Sequence, residues 1–305
     1  MLRGHGICGA QLAWVPLDRV DFLRTLHHSD SLPLRVSIWV DGKDPGIEEF
    51  VAQGPDRGSR LTIHTVKFFS DGALGSKGAF MLEPYRDEGP EGNRGLVVTE
   101  REVLIDRVRR YTEAGWDIAV HAIGDAAARC TLDAFDAAAP GAICRLEHCQ
   151  TMHADDIARM SHGDRIASVQ PIHMHSDAAW AGSVLSPEQL SRLFNWRDLA
   201  AVAPLAAGSD YPIEDPNPWH GLSTFVSRLD TNGEVFRSEQ AISRVEAIRA
   251  YTSGAARAAR WDDIGTLHAG QSAEWIAVDV DPWRAAPDEI WNTTVTDSAF
   301  VRTRS

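Results

Sequence analysis

The chain has 305 residues, 44% hydrophobic and 24% charged, a globular composition rather than a disordered or fibrous one. Its net charge of −13 argues against nucleic acid or an anionic membrane as the main partner. Four irregularly spaced cysteines exclude a disulfide framework, and no apolar run reaches the ~18 residues of a membrane span.

Residues 4–9, Gly-His-Gly-Ile-Cys-Gly, match the G-x-G-x-x-G dinucleotide pattern, on which an NAD-dependent oxidoreductase reading would rest. That pattern has physical meaning only after a strand, and three residues stand before it. The first residues lack the apolar core of a secretion signal, so a cytoplasmic location is expected. Residues 17–28 carry Leu17, Val20, Phe22, Leu23 and Leu26 at helical spacing, and 34–40 alternates as a strand. The Gly/Pro/Asp-rich stretch 41–60 predicts a loop with a helical turn near 47–51. Residues 63–69 predict a strand that leads through Lys67 to Ser70-Asp71-Gly72. A loop as long as 72–98 suits a lid or binding loop. Thr99-x-x-Glu102 then reads as a capping box for a helix ending near Gly115.

Ile118-Ala119-Val120 is a short buried strand with His121 at its tip. Gly124-Asp125 open an alanine-rich helix to about Ala139, with Asp125 as a helix-start residue or a support for the site. Residues 142–147 form the next strand, ending on His148, and 153–161 a helix with Asp155 and Asp156 in its first turn. Cys144 and Cys149 flank His148 but lack a second Cys/His pair, so they read as buried thiols rather than a zinc knuckle. Residues 166–169 run into Gln170-Pro171-Ile172-His173, and 176–200 mix helix and loop. The last apolar run, 201–207, precedes Gly208-Ser209-Asp210-Tyr211-Pro212. The tail is helix-rich over 238–260 and predicts strands over 264–280 around His268-Ala269-Gly270-Gln271.

Strands alternating with helices predict a parallel sheet in an α/β fold, and seven such strands, near 7–13, 34–40, 63–69, 117–121, 143–148, 166–170 and 202–208, point to a TIM-type (β/α)₈ barrel one strand short. Lys67, His121, His148 and Asp210 each stand at a strand tip. Singly they have plain structural readings: a snorkelling lysine, satisfied core histidines, a turn aspartate. Together at one end of a barrel they would offer imidazole and carboxylate donors to zinc or a similar ion.

The series Val-Lys-Phe-Phe-Ser-Asp-Gly-Ala-Leu-Gly-Ser, Val-His-Ala-Ile-Gly-Asp, Leu-Glu-His-Cys-Gln and Gly-Ser-Asp-Tyr-Pro resembles the amidohydrolase superfamily. The nearest branch is the amidohydrolase-3 group, which contains N-substituted formamide deformylases. The resemblance runs from about residue 30 to 282, and 264–279 resembles the family's return into a small β-sandwich. It implies a divalent metal centre, most simply one or two zinc ions, with a carboxylated Lys67 as bridge. His121 and His148 would bind one ion, and Asp210 would bind the other and carry the proton. His173 and Gln170 would lie near a small-molecule substrate, and the reaction would be hydrolysis of a C–N bond. The implied domains are a partial barrel over 1–262 and a β-sandwich remnant over 263–305.

The family's first ligand pair, a His-x-His on strand 1, has no counterpart. His173-Met174-His175 satisfies the pattern but follows strand 7. The chain is then a one-metal hydrolase, an inactive chain that still binds metal, or part of a longer product. Open barrel edges call for cover, which makes association with another copy an expectation.

Overall fold

The computed structural model describes residues 1–58, 60–86 and 88–300. Among the described residues ten strands are formed: β1 Gly9–Val15, β2 Arg35–Asp41, β3 Asp56–Arg57, β4 Leu61–Phe69, β5 Asp117–Ala122, β6 Cys144–His148, β7 Arg165–Val169, β8 Leu205–Ala207, β9 Trp275–Val278 and β10 Val295–Ala299. The main sheet runs β1-β2-β4-β5-β6-β7-β8, with the short β3 antiparallel on β4. This is an incomplete TIM-like barrel, joined toward the C-terminus by a small antiparallel β9–β10 sheet. The seven strands are those the apolar runs predict. β2, β4, β5, β6 and β7 read as short apolar runs because parallel strands are buried on both faces, whereas β1 has no buried residue. Eight residues of β4 are buried, Leu61 through Phe68.

The chain divides into two compact units. The larger comprises Gly9–Ala167 and Val184–Leu193, and the other Met1–Cys8, Ser168–Ser183 and the chain from Phe194 onward.

In the larger unit, register fixes which residues share a face. Lys67 lies opposite Ala119, Phe69 opposite His121, and His121 opposite Glu147. Lys67, Phe69, His121, Glu147 and Arg145 therefore belong to one face. There Arg145 is enclosed: its Nε sits 3.0 Å from Glu147 Oε1, its guanidinium lies 4.1 Å from the Trp39 ring centre, and it donates to the Gln11 side chain. Burial lowers the Arg145 pKa, and the Glu147 carboxylate opposes that shift. A charge this deep persists because it is paired and hydrogen-bonded.

His64 lies on the opposite face of β4. Its Nδ1 is 3.0 Å from Asp117 Oδ2 and its Nε2 3.4 Å from Ser37 Oγ. The order is that of a Ser-His-Asp triad, yet all three side chains are enclosed and Asp117 also accepts the Ile143 N–H. A nucleophile without access to substrate catalyses nothing, so this trio acts as a polar clamp across β2, β4 and β5.

The long segment after β4 is strapped down rather than free to close as a lid. Phe80 N–H donates to Asp71 and Leu82 N–H to Asp125, at 2.8 Å each. The Phe80 carbonyl accepts from Ala126 and Ala127, so it occupies the N-terminus of the helix Asp125–Phe135. Arg192 joins Glu83, Asp125 and Glu188 in one ion cluster. Asp125 thus ties the segment to Arg192, while Gly124 is the N-cap.

Other expectations are corrected. Thr99 caps no helix: its hydroxyl donates to the Phe69 carbonyl at 2.7 Å, and the helix Arg101–Glu113 has Glu100 as N-cap. The 4–9 glycines lead from the 3₁₀ turn Leu2–His5 straight into β1 rather than opening a helix, so the dinucleotide reading falls. The helix predicted over 17–28 forms as Leu17–His28, whereas the one predicted to Ala139 ends at Phe135.

In the other unit, Gly208 N–H donates to the Val169 carbonyl at 3.1 Å, beside β8. Arg228 is enclosed there, its guanidinium 4.3 Å from the Trp196 ring centre, and Trp196 meets Phe225 edge-on at 4.8 Å. Only Trp275–Val278 of the 264–280 stretch is a strand, and its partner Val295–Ala299 lies outside the region the sequence singled out. The helix Pro218–Ser227 was also missed.

A Cβ at Gly124 would run into the backbone of Phe80, while one at Gly208 would meet no atom. Gly124→Ala is expected to cost about 3 kcal/mol and Gly208→Ala less than about 0.5 kcal/mol, measured by urea unfolding.

Candidate active site

Three of the residues singled out by sequence lie in the larger unit, on successive parallel strands. Lys67 precedes the end of β4 by two residues, His121 stands next to last on β5, and His148 is last on β6. The His121 and His148 rings meet edge-on with centroids 4.5 Å apart. Lys67 Nζ lies 4.9 Å from the Phe69 ring centre, and that ring is 5.2 Å from His121. The structure therefore sets Lys67 and His121 against Phe69, with His148 against His121.

Pleating alone would not do so. His148 lies opposite Ala122, on the face opposite to that of His121. The His148 backbone, however, takes φ 77° and Cys149 follows at 45°. This left-handed step breaks the pleat and lets the His148 ring stand beside that of His121. Such a conformation at a non-glycine residue stores about 1–3 kcal/mol of strain and is held by the surrounding structure.

The sequence reading missed Asp71, two residues beyond β4. Its side chain is enclosed. Oδ2 accepts from Phe80 N and Gly124 N at 2.8 Å each, and Oδ1 from Ile123 N at 3.0 Å. His121 Nε2 is 3.4 Å from Oδ1 and 3.4 Å from the Gly72 carbonyl. Burial pushes the Asp71 carboxyl up to about 7, opposed by the three backbone N–H groups and the Lys67 charge. The available signal was the pair Ser70-Asp71 just past the lysine strand, and it reads equally as a turn.

The remaining candidates lie in the other unit. Gln170 is the N-cap of the helix Pro171–Ala181; its Nε2 donates to Ser168 O at 3.5 Å, and its buried Oε1 has no hydrogen-bond partner among the described residues. His173 and His175 lie in the first turns of that helix, two residues apart, so they diverge rather than face one way. His175 donates Nδ1–H to the Leu229 carbonyl at 2.8 Å, with its ring 4.8 Å from that of Trp291, which is a structural role. Asp210 is exposed, at φ 58°, in a turn closed by Ile213 N–H donating to its carbonyl at 2.9 Å.

Two imidazoles on neighbouring strand tips are donors suited to zinc or a similar ion, and a carboxylated Lys67 would add an oxygen donor. Among the described residues no group of three or more His, Cys, Asp or Glu is placed to hold an ion. The imidazole pair therefore needs a donor of another kind. The four cysteines form no disulfide among the described residues, and Cys144 and Cys149 are buried.

Burial lowers the His173 imidazole pKa from 6.5 to about 4. The unfolded chain then takes up a proton below pH 6.5 and the folded chain only near pH 4, so stability falls as pH drops through that window. At pH 4 the loss through this group is at most about 3 kcal/mol. In His173→Gln the fall in unfolding free energy between pH 6.5 and 4 is expected to shrink by up to that amount, read from urea curves at each pH.

A model described as "Amidohydrolase family" matches residues 2–300. The chain is 32% identical over 240 residues to YtcJ of Bacillus subtilis (strain 168), covering 76% of this chain and 45% of YtcJ. It is 28% identical over 217 residues to the N-substituted formamide deformylase of Arthrobacter pascens, covering 67% of this chain and 39% of that enzyme. Among solved structures, an uncharacterized metal-dependent hydrolase from Pyrococcus horikoshii OT3 superposes with a TM-score of 0.85 at 31% identity, over 94% of this chain and 59% of that one. The chain thus spans less than half the length of these two curated relatives. With the family model matched almost end to end, the chain belongs to the amidohydrolase family.

Proposed function

We propose that this chain acts as a metal-dependent hydrolase on the C–N bond of a small amide or formamide. The observation that carries this reading is the pairing of His121 and His148, 4.5 Å apart on neighbouring strand tips beside Lys67. In this reading His121 and His148 would hold a divalent ion, zinc by donor type, and Lys67, once its neutral amine has added CO₂ and lost a proton, would supply a carbamate oxygen. When bound, the ion lowers the pKa of water toward ~7 and polarises the scissile carbonyl. Asp210 would be the group that accepts a proton from water and returns one to the leaving nitrogen. Gln170 and His173 contact the substrate; the lowered pKa keeps the His173 ring neutral at pH 7, able both to donate and to accept a hydrogen bond. The formamide deformylase relative supports the substrate class, and the hydrolase from P. horikoshii supports the metal.

A second reading is a metal-binding chain without turnover. It is favoured by the lack, among the described residues, of three or more His, Cys, Asp or Glu placed around one ion.

Metal analysis of the purified protein, with a panel of formamides, amides and lactams followed by amine release, separates the two. Lys67→Ala, His121→Ala and His148→Ala are each expected to lose the metal. Asp210→Asn is expected to keep an ion at the histidine pair while turnover falls by about 10²–10⁴-fold. Unchanged metal content in all three alanine variants would refute the ligand assignment. A loaded protein that hydrolyses nothing on the panel would favour the second reading.

A further inference from the structure

His121 is useful as a ligand only if one ring nitrogen presents a lone pair on the correct side, and a neutral imidazole has two ways of placing its hydrogen. The sequence names the residue and says nothing about the tautomer. Its surroundings do.

Nε2 of His121 faces two oxygens, Gly72 O and Asp71 Oδ1, each at 3.4 Å. A backbone carbonyl can only accept. Oδ1 already accepts the Ile123 N–H, and Oδ2 accepts both Phe80 N–H and Gly124 N–H. The carboxylate is thereby locked in rotation by three backbone donors from two segments, the strap after β4 and the turn after β5. A ring nitrogen set against acceptors carries the hydrogen, which leaves the lone pair on Nδ1.

We propose that Asp71 is a positioning residue which, with the Gly72 carbonyl, holds His121 as the Nε2–H tautomer and reserves Nδ1 for a divalent metal ion. The proposal rests on the metal-centre reading above for the use of Nδ1, but not for the tautomer itself. A partner on the second nitrogen of a ligating histidine fixes ring orientation and raises basicity, and its loss lowers metal affinity by about 10–100-fold.

Asp71→Asn tests this with little change of shape. The amide has one oxygen, and two backbone donors converge where Oδ2 stands. The oxygen is held there, which turns the amide NH₂ toward the position of Oδ1 and toward His121 Nε2, and takes from the Ile123 N–H its acceptor. A donor in that place favours a bare Nε2, so the Nδ1–H tautomer becomes populated.

The measurement is long-range ¹H–¹⁵N NMR of ring-labelled histidine in the metal-free protein at about pH 8, above the ~6.5 of an ordinary imidazole. The His121 signals are assigned with His121→Gln. The wild type is expected to show Nε2–H at His121, and Asp71→Asn a substantial Nδ1–H population. Zinc titration is expected to give about 10–100-fold weaker binding in the variant. Nδ1–H as the wild-type form would overturn the proposal without recourse to any variant. It is equally overturned if Asp71→Asn leaves both the tautomer ratio and the zinc affinity at wild-type values. If the tautomers behave as stated but neither protein takes up zinc, the positioning by Asp71 stands and the metal-centre reading fails.

Discussion

The larger unit depends at its chemical end on one buried carboxylate. Asp71 gathers Phe80 N–H, Ile123 N–H and Gly124 N–H onto two oxygens and stands beside His121. Those donors belong to pieces of chain far apart in sequence, the strap after β4 and the turn that opens the helix Asp125–Phe135. Charge-assisted bonds to backbone N–H groups are roughly twice as strong as neutral ones, and such donors are costly to leave unmet when enclosed. The strap therefore serves as a fixed wall of the unit. Gly124 is part of the same construction, because the close approach of Phe80 leaves no room for a side chain.

Below that layer the face shared with Lys67 and His121 is filled by a charged pair rather than by aliphatic residues. Arg145 and Glu147, with Trp39 and Gln11, place a guanidinium in a site without solvent. A buried ion pair contributes little net stability, but removing one member strands the other. From the opposite face of β4 His64 joins Ser37 and Asp117 in a second polar clamp, which resembles catalytic machinery only until its enclosure is considered.

Much of the architecture was legible because parallel strands covered on both faces are written as short apolar runs. Six of the seven strands of the main sheet announced themselves in this way, β1 being only partly covered, and helical spacing announced Leu17–His28. The C-terminal region was read less well. β9 and β10 are half-exposed, and a two-stranded sheet writes no strong alternation. The Thr99 capping box failed because its hydroxyl met a stronger claim, the Phe69 carbonyl, from outside its own segment.

The candidate site divides along the same line. The sequence by itself determined that Lys67, His121 and His148 stand at the ends of strands, since each closes or follows an apolar run whose length sets where the strand stops. It also determined the family, because motif order survives without knowledge of contacts. Only the tertiary structure decided that His148 stands beside His121: strand pairing assigns it to the wrong face, and a left-handed backbone step reverses that assignment. Only the tertiary structure, too, decided that Asp71 faces His121 rather than starting a turn. The physical reason is that strand ends are encoded by local hydrophobic runs, whereas ring orientation and backbone strain are set by hydrogen bonds between segments that sequence does not pair.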